Sequence, residues 1–263
     1  TLYFAHCKQI ISIIKSKFEN NSAHKGGAVY GYSFKIFKGI RNCFIGGLSE
    51  KNGGTMFFEK GYKLYDFGSF YFGNVAKESG GVIYLDRIED VFLFSNTYDE
   101  NNALLHGGAL YCKQSSVLVS NCTCYKNFAV SQGGVIYKND FKLTIGKTVK
   151  AKLMSNKNIK NRLDSTVNIK TKFEIQIHNC TFRSNMASIG GAVHVGNFES
   201  VTMSLNFFYD NSAKQAKHNS QYLIKGGAIS LKRGKCLKIS KSVLVYNFGV
   251  NGGAVSVDGL LHT

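Results

Sequence analysis

Two adjacent glycines recur along the chain, and their spacing restricts the possible folds more than any other feature. The pairs begin at Gly26, Gly53, Gly80, Gly107, Gly133, Gly190, Gly226 and Gly252, so the steps are 27, 27, 27, 26, 57, 36 and 26 residues. A period in the twenties marks a solenoid, whose repeats bury their apolar faces only by stacking on one another. The third residue after each first glycine is Val29, Met56, Ile83, Leu110, Ile136, Val193, Ile229 or Val255, apolar every time. Two residues on stand Gly31, Phe58, Leu85, Cys112, Lys138, Val195, Leu231 and Val257, mostly apolar again. That period of two predicts a strand leaving each glycine pair with this column turned inward.

A second strand precedes the next pair, as in "SVLVSNCTCY" at 116–125 and "FEIQIHNCTF" at 173–182. Its inward phase jumps by one residue beside an Asn, which marks a bend because Asn tolerates left-handed backbone angles. The sequence therefore predicts that Asn42, Asn121 and Asn179 stack at one corner and that Cys43, Cys122 and Cys180 point inward beside them. Two or three short strands per coil, corners in place of hairpin turns and no helical period give an all-β parallel β-helix of about eight to nine coils of ~27 residues.

The F-x-x-N phrase followed by G-G-A-[VIL] stands as Phe18, Asn21 and Gly26 to Val29, and again as Phe182, Asn185 and Gly190 to Val193. This pairing resembles the repeats of the chlamydial polymorphic outer membrane proteins and of related right-handed, pectin-lyase-like β-helix surface proteins. The resemblance spans nearly the whole chain and implies a right-handed β-helix at a cell surface or outside the cell, acting as a rigid, non-enzymatic adhesive module.

Two steps are long. Residues 146–172 read as an inserted basic loop in preference to an irregular coil, and 214–225 as a smaller one. Lys147, Lys150, Lys152, Lys157, Lys160 and Arg162 in the first are candidates for weak polyanion binding. The rest reads as one β-helix region over 1–263, and its mid-coil ends, which lack polar caps, read as those of a piece of a longer protein.

The formal charge of +17 invites a nucleic-acid reading, but only five of the 33 basic residues are Arg, the residue suited to bidentate phosphate and base contacts. No specific nucleic-acid binding is expected. The seven cysteines include no C-x-x-C pair, so neither a metal site nor a cofactor is expected. An insertion at 146–172 would make Cys122 and Cys180 vertical neighbours that an oxidising compartment could bridge. Asn20, Asn121 and Asn179 head N-x-[ST] sequons, of which at most Asn20 is expected to carry a glycan. No apolar run reaches the roughly 18 residues of a membrane helix.

The outward neighbour of the inward column reads Tyr30, Phe57, Tyr84, Tyr111 and Tyr137, then His194, Ser230 and Ser256. Five aromatic rings on successive coils make a candidate ligand-binding stripe for a glycan or a cell-surface protein, or else a stack that only stiffens the sheet. A carbohydrate-active β-helix enzyme, a lyase or hydrolase, is the alternative that the resemblance leaves open, and it would need clustered carboxylates. The best cluster is Asp86, Arg87, Glu89 and Asp90, with Asp99 and Glu100 further on, and no second coil is expected to stack a carboxylate on it. No catalytic residue is assigned, and a purely structural spacer is the third alternative.

Overall fold

The computed structural model describes residues 2–140, 174–214 and 224–260. Every described element is a strand, and every strand pairs in parallel with its counterpart one coil away. The result is a parallel β-solenoid of about 8 turns, ~27 residues apart. Three sheets of 13, 8 and 7 strands run along it.

The first sheet holds the long strands Leu2–Ile14, Val29–Ile40, Met56–Phe67 and Ile83–Phe94, each followed by a short strand of the second sheet and a two-residue strand of the third. The predicted inward column is in register from Val29 through Met56, Ile83, Leu110, Ile136, Val193 and Ile229 to Val255. In the second sheet the inward column is aromatic except at Cys124 and Leu244: Phe18 stacks on Phe44, Phe44 on Tyr71, Tyr71 on Tyr98, and later Phe182 on Phe208, with centroids 4.6–5.1 Å apart. Ala76, Ala103, Ala129, Ala187 and Ala213 lie in the buried column of the third sheet.

Among the described residues a coil turns four corners, three of them through single residues in the left-handed region. Ser33, Lys60, Arg87 and Gln114 bend the first sheet within its length, so that it has a leading and a trailing half. Arg41, Gly68, Ser95, Asn121 and Asn179 turn the chain into the second sheet, and Asn20, Gly46, Gly73, Glu100, Lys126 and Ser184 turn it into the third. At these corners the side chain leaves the coil, so residues of any chemistry occur.

The glycine corner differs. Gly26 has φ 61°, and a Cβ on it would lie 2.2 Å from the Val29 carbonyl oxygen. A Cβ on Gly27 would lie 2.3 Å from the carbonyl oxygen of Gly54, the matching glycine of the next coil. The first glycine is demanded by its own turn and the second by the stacking of coils.

The corner between the second and third sheets is held by an asparagine ladder. The backbone N–H and Nδ2 of Asn101 both donate to Oδ1 of Asn127, at 3.1 and 3.0 Å, while Asn101 Nδ2 also donates to the Tyr71 carbonyl. The same arrangement joins Asn74 to Asn101, Asn127 to Asn185, Asn185 to Asn211 and Asn211 to Asn247. Asn74, Asn101, Asn127, Asn185 and Asn211 are fully buried with their amides satisfied.

The corner expected for Asn42, Asn121 and Asn179 is corrected by one residue. Asn121 and Asn179 do stack, with Asn179 Nδ2 donating to Asn121 Oδ1 at 2.8 Å. Asn42 sits one position further on, where it caps the N–H of Ser16 in the column that holds Ser69, Asn96, Cys122, Cys180 and Asn206. Cys43 correspondingly pairs with Phe70, in register with Thr97, Thr123 and Thr181 on the outer face, while Cys122 and Cys180 are buried. The shared "NC" dipeptide hides this offset, because the core ring follows Asn42 by two residues at Phe44 but follows Asn179 by three at Phe182. All seven cysteines are free, and Cys122 and Cys180 are vertical neighbours, the Cys122 N–H lying 3.4 Å from Cys180 Sγ.

Residues 141–173 lie outside the described residues, and with them the candidate polyanion-binding Lys147, Lys150, Lys152, Lys157, Lys160 and Arg162. The strand ladder passes this point without a missing step, since Val117 pairs with Ile175 and Tyr137 with His194. Residues 215–223 of the second expected insertion also lie outside. No helix of the described residues is long and apolar enough to cross a membrane.

Candidate functional site: the outer faces of the first sheet

The leading half of the first sheet carries the aromatic stripe outward. Tyr3 stacks on Tyr30, Tyr30 on Phe57, Phe57 on Tyr84, Tyr84 on Tyr111, Tyr111 on Tyr137, and Tyr137 on His194. Centroids are 4.5–5.5 Å apart and ring planes 4–22° from parallel, so seven rings form one continuous column along the rod. In-register parallel pairing causes this, because the ladder places equivalent residues one strand spacing apart, close to the thickness of stacked rings.

Stacking uses up the ring faces, so the column presents edges and hydroxyls to its surroundings. Phe57 and Tyr137 are 3% and 7% exposed and offer little even of those. The Lys25 ammonium lies 4.8 Å over Phe57, and the His106 ring stacks on Tyr137 at 4.5 Å. Tyr30, Tyr84 and Tyr111 are half-buried, and theirs are the accessible edges. Burial, then the carboxylates of Asp86 and Glu59, pushes the Tyr84 hydroxyl up to about 12, and burial pushes Tyr111 up as well. Both remain protonated hydrogen-bond donors at neutral pH. The sequence did not reveal Tyr3, which precedes the first glycine pair, and it ended the stripe at Tyr137, where the structure extends the stack by one more ring to His194.

Beside Tyr84 lies a polar cluster. Glu59 and Asp86 occupy the same position on adjacent coils, which corrects the expectation that no second coil stacks a carboxylate there. Arg87 bridges them, meeting Glu59 and, at 3.1 Å, Asp86 Oδ2. The guanidinium leaves the coil at a left-handed corner, and from there it reaches both the preceding carboxylate and the one a coil below. Asp86 is 9% exposed and its Oδ1 lacks a partner. Asp90 pairs in register with Lys63, one coil away and outside this cluster, while Asp99 lies on the second sheet. Among the described residues, no group of His, Cys, Asp and Glu could hold a metal ion.

Sequence reasoning also missed a second charged group, on the inner side. Lys138 stands in the inward column between Cys112 and Val195 and is fully buried. Its ammonium donates to the Ser115 carbonyl at 2.7 Å and pairs with Asp140, whose other oxygen accepts from the Gln114 N–H at 2.8 Å. The signal was Lys138 itself in an otherwise apolar column, followed at two residues by a carboxylate.

The trailing half of the same sheet has a different outer face. One outward column runs Ile14, Ile40, Phe67, Phe94 and then Ser120, His178, Ser204 and Ser240. The next runs Ser12, Lys38, Tyr65, Phe92, Leu118 and then Gln176, Thr202 and Lys238, and Ile10 and Ile36 begin a third. A groove of about 320 Å³ lies there, lined by Ile36, Lys38, Gly39, Ile40, Tyr65 and Phe67.

Residues 15–32 match the Chlamydia polymorphic membrane protein repeat. They run from the corner before Lys17–Glu19, through Ser22–Ala23 and the glycine turn, into the strand that begins at Val29. The chain is a parallel β-helix that carries this repeat. No curated protein and no solved structure matches it. In this repeat Phe18 is the inward ring of the second sheet, Asn21 marks the corner that Asn74 to Asn247 occupy as a ladder, and Gly26 with Gly27 closes the coil.

Proposed function

We propose that the chain is a non-enzymatic β-helix module of a surface protein that binds a glycan or a protein partner along the leading face of its first sheet. The observation that carries this reading is the continuous ring column from Tyr3 to His194, with the edges of Tyr30, Tyr84 and Tyr111 turned outward beside Arg87, Glu59 and Asp86. Fixed hydroxyl donors about one strand spacing apart, next to a guanidinium and two carboxylates, suit a ligand rich in hydroxyls. The surface setting is supported by the matched repeat, whose family is one of membrane proteins.

The test separates binding from stacking. Tyr84→Phe with Tyr111→Phe keeps the rings and removes two hydroxyls. Binding to immobilised glycans or to host-cell surfaces should fall by roughly tenfold with little change in melting temperature, since one well-placed hydrogen bond contributes about 0.5–1.5 kcal/mol. Unchanged binding by the double variant rejects this face as the ligand site.

A carbohydrate-active enzyme is the second reading, favoured by the stacking of Glu59 on Asp86. Arg87 pairs with both carboxylates, an arrangement suited to ligand recognition more than to proton transfer. Release of products from acidic polysaccharides, lost in Glu59→Gln, would establish it over the binding module.

A further inference from the structure

One sheet face changes character partway along the rod. In the trailing half of the first sheet, three outward columns cross five coils up to Ser116–Ser120, and nine of these fifteen positions are large and apolar. In the next three coils the same columns hold nine residues, of which only Cys236 is not polar. A face that met only water would be polar throughout, as the last three coils are. Ile10, Ile14 and Phe67 remain 53%, 52% and 47% exposed.

We propose that this apolar face docks on an anionic lipid surface. The charges within it are Lys38, Lys63 and Asp90, the last two in register on adjacent coils, and the exposed corners Lys15 and Arg41 add two more cations along its border. The whole chain carries +17. Apolar and aromatic side chains interleaved with cations are complementary to a bilayer interface, where acyl chains meet phosphate. Pairing with a second copy would press Lys38 and Lys63 into a face with one acid of its own, a poor charge match. The five coils of the face span roughly 20 Å of rod. Lys38 stands on the wall of the groove formed with Ile36, Ile40, Tyr65 and Phe67, placing an ammonium where a lipid phosphate would sit above buried hydrocarbon.

Flotation of the full chain with vesicles tests this. Wild type should float with phosphatidylcholine vesicles containing about 30% phosphatidylglycerol, and roughly fivefold less with pure phosphatidylcholine or in about 0.5 M NaCl. Ile40→Ser with Phe67→Ser should lower flotation at least fivefold, and Lys38→Glu should lower it as well, while Gln176→Ser on the polar half leaves it unchanged. All four positions face outward, so melting temperatures should be preserved, and Lys38→Glu stands as an independent test if the double variant does not fold. Absence of wild-type flotation overturns the proposal. So does flotation that persists in both variants, which would assign it to other basic residues, and so does self-association that Phe67→Ser abolishes without any binding to vesicles.

Discussion

A buried carboxyl and a buried imidazole give single residues opposite effects on pH stability. Asp66 points inward below Gly39, accepts hydrogen bonds from Ser69 Oγ and Tyr71 Oη at 2.7 Å each, and is raised by burial to about 6 from an ordinary 3.8. The folded state holds this proton more tightly than the unfolded state, so Asp66 adds stability as pH falls from about 6 towards 3.8 and costs stability above that window. The cost at neutral pH is on the order of 2–3 kcal/mol. Asp66→Asn should raise the melting temperature at pH 7 by several degrees and flatten its dependence on pH between 4 and 6. His194, 5% exposed at the end of the ring column, is lowered to about 3 by burial and then by His106 and Lys232. Its unfolded form protonates near 6.5 while the folded form resists, so stability is lost as pH falls below about 6.5. His194→Phe keeps a ring in the stack and should shrink the drop in melting temperature between pH 7 and pH 5. The glycine corners allow an equally sharp contrast: a Cβ on Gly81 would come 1.9 Å from the Gly108 carbonyl oxygen, whereas one on Gly73 meets nothing within 4 Å. Gly81→Ala should cost about 3 kcal/mol or more in urea unfolding, while Gly73→Asn, compatible with φ 62°, should stay within about 0.5 kcal/mol.

Among the elements, the asparagine ladder is the most exacting, because each rung satisfies the one before it. Asn127→Ala removes the acceptor for two bonds from Asn101 and the donor to the Tyr98 carbonyl, all of them buried. Leaving such groups unpaired costs about 1–3 kcal/mol each, so urea unfolding should show a loss of roughly 3 kcal/mol. This ladder also marks where the sequence was legible. F-x-x-N identified Asn21 and Asn185, but Asn74, Asn101 and Asn127 follow Tyr71, Tyr98 and Cys124 and escaped the pattern. The glycine corner was readable because two steric clashes admit only one residue type. The bend inside the first sheet was not, because Ser33, Lys60, Arg87 and Gln114 share a backbone angle and no side-chain chemistry. The aromatic stripe could be placed from its period, yet the burial of Phe57 and Tyr137 depends on Lys25 and His106, which come from the chain before the glycine pair. Likewise the stacking of Glu59 on Asp86 required the register and could not be seen in the acidic cluster alone.

At the scale of the molecule, every coil touches only its two neighbours, so stability is a sum of local terms and one weakened coil divides the rod. Leu85→Ala empties a fully buried position of the fourth coil and should cost about 2–5 kcal/mol. Thermal melts followed by hydrogen exchange should then show the coils before Ile83 losing protection separately from those after Leu110. The direction of the hydrogen bonds has a mechanical consequence. They run parallel to the rod, so tension applied at the two chain ends loads one coil's bonds at a time instead of shearing a whole sheet. Stretching the rod should peel it coil by coil, and each of the 27-residue steps should release roughly 90 Å of chain in exchange for about 5 Å of rod height. A molecule tethered at one end and held at the other would then yield in small increments, lengthening under strain while the unpeeled coils keep their shape.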